Sequence, residues 1–155
     1  MGGLTGGGCS ALTSPTVSLG AAEVTDASVD AIRFDVTARL ENADREAAYE
    51  LRTLQYTVSV GDRSWRGQRA AEATLAPGGD AMVRIPVILR REIWASVTGA
   101  GGDTEVPWRI DGQLLYVSPG PLPEMLLDAG IVQPKVGVRG RGTVMLPPPP
   151  AAPAS

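Results

Sequence analysis

The sequence predicts an all-β protein, an antiparallel β-sandwich of about seven strands with one short helix. Repeated runs alternate apolar and polar residues, turn signals separate them, and only one stretch has helical spacing. Period two sends successive side chains to opposite faces of a sheet, so each such run buries one face and wets the other. The most informative stretch is Ile32 to Val60. There Ile32, Phe34, Val36, Ala38 and Leu40 point one way, and Arg33, Asp35, Thr37, Arg39 and Glu41 point the other. Beyond the polar elbow Glu41 to Glu46, Tyr49 and Leu51 hold odd positions, whereas Leu54, Tyr56 and Val58 hold even ones. A β-bulge near Arg52-Thr53 would restore one buried face. The two runs are expected to pair as a hairpin about the elbow.

The remaining elements follow in order. Pro15 to Val24 reads as a first strand, interrupted at Gly20, and the strand ending at Val60 meets a turn at Gly61-Asp62-Arg63-Ser64. Gln68 to Leu75 is a weaker extended run leading to the turn Ala76-Pro77-Gly78-Gly79-Asp80. Ala81, Val83, Ile85, Val87 and Leu89 then alternate without a fault. Pro86 lies on the opposite register and lacks a ladder donor, which favours an edge strand or a bulge. Ile93, Trp94 and Val97 share helical spacing, so a short helix over Glu92 to Val97 is expected to plug one end. Val106 to Tyr116 alternates again and stops at Ser118-Pro119-Gly120-Pro121. Met125 to Ala129 reads as a helical turn or a packed loop, and Val136 to Leu146 as a final strand interrupted by glycines. This count of strands fits the immunoglobulin or fibronectin type III arrangement, with an open β-barrel as the alternative. The expected organisation is a flexible Gly-rich tail over residues 1–14, the sandwich over 15–146, and a projecting polyproline II tail over 147–155.

Composition narrows the function. A chain of 155 residues suits one domain, and 43% apolar with 20% charged residues is ordinary for a globular body. A net charge of −3, with arginines expected to be scattered among acids, argues against nucleic-acid binding. There is no histidine, which removes the usual general base near neutral pH and the commonest transition-metal ligand. The single cysteine, Cys9, forms no internal disulfide, and Lys135 is the one lysine. No cofactor and no enzymatic activity are expected.

The first residues lack the basic and apolar regions of a signal peptide, yet Gly7-Gly8-Cys9 resembles the end of a bacterial lipoprotein cleavage box, followed by the tether Ser10 to Ser14. Lipid on Cys9 would supply membrane affinity and a periplasmic location; a cytoplasmic location follows if Met1 is the true start. The plain alternative is a Gly-rich tail with an incidental thiol.

Among candidate site residues, Asn42 and Asp44 are expected to close the elbow as Asx turns in preference to binding anything. Asp26, Asp30 and Asp35 match no calcium loop and read as surface acids. Gly3 to Ser10 lacks the lysine of a phosphate loop. Trp108 shares the phase of Val106 and Ile110 and is expected in the core, which leaves Trp65, beside a turn, as the best exposed aromatic contact. Arg90-Arg91 and Arg139-Gly140-Arg141 would touch anionic headgroups if Cys9 carried lipid, and otherwise read as surface charge.

One resemblance covers Pro15 to Tyr116. Pro15, Val17 and Leu19, then Phe34, Val36 and Leu40, Asn42 in the elbow, and Leu54, Tyr56, Val58, Val60 and Gly61 resemble the water-stress and hypersensitive-response (WHy) domain of type 2 late-embryogenesis-abundant (LEA) proteins. The Pro77-Gly78-Gly79 turn and the strands Val83 to Val87 and Ile110 to Leu114 also match. The family elbow usually reads Asn-Pro-Asn, where this chain has Asn42-Ala43-Asp44, and the part beyond Pro119 follows the family poorly. The resemblance implies a bacterial, non-enzymatic stress-protection module, monomeric, that shields stressed client proteins or a membrane surface through weak contacts. The alternative is an envelope-anchored adaptor docking one partner through a sheet edge or the Pro-rich tail.

Overall fold

The computed structural model describes residues 14–99, 101–117 and 134–151. Within them the chain forms β1 (Thr16–Ala27), β2 (Ala31–Glu41), β3 (Tyr49–Val60), β4 (Arg63–Leu75), β5 (Asp80–Arg90), α1 (Arg91–Val97), β6 (Thr104–Val117) and β7 (Lys135–Leu146). The strands make two antiparallel sheets, ordered β1-β2-β5 and β4-β3-β6-β7. Their apolar faces meet in one core, as the alternation requires. Ile32, Phe34, Val36, Ala38 and Leu40 of β2 are at most 2% exposed and pack with Leu54, Val58, Trp108, Ile110 and Leu114 of the opposite sheet. Residues 118–133, with the expected helical turn or packed loop at Met125 to Ala129, lie outside the described residues, as does Cys9.

The expected hairpin between Ile32–Leu40 and Tyr49–Val60 is corrected. β2 pairs with β1 and β5, whereas β3 pairs with β4 and β6, so the elbow is an arch that carries the chain from one sheet to the other. Alternation reports which face of a strand is buried and not which strand lies beside it. The hairpin partner of β3 is β4, joined through Gly61-Asp62 with Val60 opposite Arg63 and Gly61 at φ 60°. Arg63 and Ser64 therefore belong to β4 and not to the turn.

The phase change in β3 is a real irregularity. Between Leu51 and Leu54 the strand carries one more residue than β6 opposite, and between Leu51 and Thr53 β4 carries one more than β3, with Glu72 at φ 47°. Bulges propagated across the sheet keep Tyr49 and Leu51 inward together with Leu54 and Val58. A similar shift lies between Leu19 and Ala22 in β1, around Gly20.

β7 is not interrupted by its glycines. Gly140 lies under Leu19 and Gly142 under Trp108; a Cβ there would come within 2.7 Å and 2.9 Å of those side chains. The glycines admit large neighbours where β7 passes β1 and β6, and the strand runs on. At one end α1 inserts Trp94, 1% exposed, whose Nε1 donates to the Pro147 carbonyl at 2.7 Å. Pro147, Pro148 and Pro149 are half-buried, so the proline run begins packed on the fold, and exposure starts at Pro150.

The free edge of β5 is blunted twice. Pro86 sits opposite Asp35, and a residue without N–H occupies a position whose backbone groups face away from β2, toward the open edge. The Arg84 carbonyl, two residues away on that same edge, accepts a hydrogen bond from Arg69 Nη1 of β4. Edge strands left with free donors and acceptors invite pairing between chains. Replacing both residues, Pro86→Val with Arg69→Ala, is expected to leave a folded chain that aggregates at lower concentration, read by light scattering against the parent. An unchanged aggregation threshold would show that neither residue guards the edge.

Candidate functional site

Two surfaces gather polar side chains: the elbow and the outer face of the four-stranded sheet. In the elbow Asn42 is 3% exposed. Its Oδ1 accepts from the Asp44 N–H at 3.0 Å, and its Nδ2 donates to the carbonyls of Ala47 at 2.8 Å and Ala76 at 3.1 Å. Asp44 Oδ1 accepts from the N–H groups of Glu46 and Ala47 at 2.8 and 3.0 Å. Backbone bonds from Asn42 N–H to Gly79 O and from Gly78 N–H to Asp44 O add to these. Ala76 to Gly79 lie in the β4–β5 connection, the second arch between the sheets. The amide of Asn42 thus ties two arches together, and its donors and acceptor are all used internally.

The outer face of β4-β3-β6-β7 has a different character. Register places Ser64, Ser59, Arg109 and Arg141 in one row across the four strands, Arg66, Thr57, Asp111 and Arg139 in the next, and Gln68, Gln55, Gln113 and Gly137 in the third. The expectation that the arginines are scattered is corrected, because four of them meet here in a protein of net charge −3. Asp111 is the one acid in these rows. It binds Arg139 at 3.0 Å and lies 3.9 Å from Arg109. No ion pair reaches Arg66 or Arg141 among the described residues, and Arg141 stands directly opposite Arg109. Like charges directly opposite one another are unfavourable in a sheet. The face holds a shallow, open recess of about 1000 Å³ over the Arg66, Asp111 and Gln113 rows, which continues through Ser59 and Arg109 into one of about 650 Å³ beside Trp108. The dispersal of the arginines over three strands, β4, β6 and β7, hid this cluster from the sequence; Arg139 and Arg141, two apart on one strand, were its only local signal.

The other sequence candidates fall apart in space. Trp65 is half-buried on β4 opposite Val58, packed against the core, and Trp108 is 4% exposed. Asp35 is buried under the Arg33 guanidinium, which meets it at 2.9 and 3.3 Å; that hydrogen bond, with the carboxylate's charge, raises the Arg33 pKa. Burial likewise raises the pKa of Tyr49, which meets Tyr116 edge-on at 5.1 Å, and of Tyr56. Among the described residues no group of three acids or other ligands would hold a metal ion. Among the described residues the large apolar side chains left exposed are Met82, Ile88 and Met145.

No family model matches the chain, and no curated protein matches it in sequence. Solved structures do match in fold. The solution structure of At2g46140.1, a protein assigned provisionally to the late-embryogenesis-abundant (LEA) proteins, is 12% identical and superposes on 90% of this chain and 75% of its own, with a TM-score of 0.66. The solution structure of AT1g01470 from Arabidopsis thaliana is 13% identical, over 84% of this chain and 80% of that one, with a TM-score of 0.59. At such identities the likeness is one of fold.

Proposed function

We propose that the chain is a folded, non-catalytic stress-protection module that shields other proteins or membranes through weak contacts during drying, freezing or heating. The observation that carries this reading is the likeness over nine-tenths of the chain to the fold of a protein assigned to the LEA group. The surface chemistry supports such a role: among the described residues few large apolar side chains are exposed, and the β5 edge is blunted by Pro86 and by the Arg69 hydrogen bond, which disfavours self-association beside aggregating partners. Protection would come from a charged, cooperatively folded surface placed between exposed strands or apolar patches of its clients. The test is a freeze-sensitive reporter enzyme cycled with the purified chain or with an equal mass of inert protein. The reporter is expected to keep more activity with the chain. Equal losses would overturn the reading.

A further inference from the structure

We propose that the outer face of β4-β3-β6-β7 binds a linear acidic polysaccharide, a role separate from protection of stressed proteins. The charge is complementary. Arg66, Arg109, Arg139 and Arg141 stand in two adjacent rows against two acids, Asp111 within the rows and Asp62 at the margin of the second recess, and Arg66 and Arg141 have no ion pair among the described residues. Guanidinium groups in this state favour carboxylate or sulfate, which they grip with two parallel hydrogen bonds. An anion lying between Arg109 and Arg141 would relieve their opposition.

The third row says what kind of anion. Gln68, Gln55 and Gln113 lie side by side on three strands, with Ser and Thr in the arginine rows. Amides and hydroxyls both donate and accept, which suits the hydroxyls of a sugar ring beside its acidic group. Adjacent strands lie about 4.8 Å apart and alternate residues along a strand about 7 Å apart, so the neutral glutamine row flanks the two charged rows at a spacing on the scale of a sugar ring. The joined recesses, with bare Gly137 at one margin, form a trough open to a slender chain. Two other polyanions fit less well. A bilayer would meet the exposed guanidiniums but leave the recess between them, and the glutamines that line it, unfilled. Single-stranded nucleic acid is held in part by stacking of its bases on aromatic side chains, and the three rows hold no aromatic residue.

The experiment is calorimetric titration of the full chain at low salt with polygalacturonate, beside neutral dextran, polyacrylate, phosphatidylglycerol vesicles and oligothymidylate. Polygalacturonate is expected to bind, more tightly than polyacrylate of equal charge, and dextran not to bind. The variant Arg66→Gln with Arg141→Gln leaves the Asp111 ion pairs intact and is expected to lose about tenfold or more in affinity. Arg84→Gln on the other sheet removes a like charge and is expected to change nothing. Absence of polygalacturonate binding, equal affinity in the double variant, or preferential binding of polyacrylate, vesicles or oligothymidylate would each overturn the proposal.

Discussion

Asn42→Ala is expected to destabilise the fold by about 3 kcal/mol, because the substitution empties a buried position that ties the β2–β3 arch to the β4–β5 arch. The carbonyls of Ala47 and Ala76 lose their donor and the Asp44 N–H loses its acceptor. Each buried polar group left unmatched costs on the order of 1–3 kcal/mol, partly relieved where water enters. For a chain of this size the loss corresponds to about 6–12 °C in melting temperature. Asn42→Asp separates the two halves of the amide's work. It keeps an oxygen for the Asp44 N–H but aims a carboxylate at two carbonyl oxygens, so its pKa in the folded state must rise above the unfolded value of about 4. A raised folded pKa makes the contribution present in acid and lost as pH climbs. The Asp variant is therefore expected to close part of its gap to the parent at low pH, while the Ala variant keeps a constant gap. Denaturant titrations of the three proteins at two pH values check both statements; a constant gap for the Asp variant would remove Asn42 from the buried network.

Gly112→Ala is expected to be comparably damaging, at about 3 kcal/mol. A Cβ on Gly112 would lie 2.2 Å from the Gln55 carbonyl oxygen and 2.8 Å from Tyr56 Cα, and both are backbone atoms of the neighbouring strand. Relief requires β3 and β6 to part at the centre of the four-stranded sheet, with loss of ladder hydrogen bonds and of packing beneath Tyr56. Gly67, on the other side of β3, is covered by the Tyr56 ring itself. Gly137→Ala supplies the contrast, since a Cβ there meets nothing within 4 Å. It is expected to be neutral or to stabilise by a few tenths of a kcal/mol through the unfolded chain. Thermal unfolding of the pair checks the account, and equal effects would contradict it.

Residue by residue, burial was legible in the sequence and neighbourhood was not. The alternation of β2 foretold its five core side chains, and the phase slip in β3 foretold a bulge, because both are imprints of the pleat on one strand. Whether the elbow joined paired strands or crossed between sheets depends on Asn42 meeting Ala76 in a distant connection, which no local pattern encodes. Likewise the glycines of β7 read as breaks when taken alone, and become packing sites only once Leu19 and Trp108 lie over them. The arginine face is the extreme case. Its members come from β4, β6 and β7, so only the sheet order and register assemble it.

On the proposed function, protection belongs to the folded surface and not to the composition of the chain. This is tested most directly by heating a labile reporter enzyme at a temperature between the melting points of the parent and of Gly112→Ala, with equal masses of each. The two chains differ by one methyl group, and only the parent is folded there. The reporter is expected to retain more activity with the parent; equal protection by the unfolded variant would contradict the account.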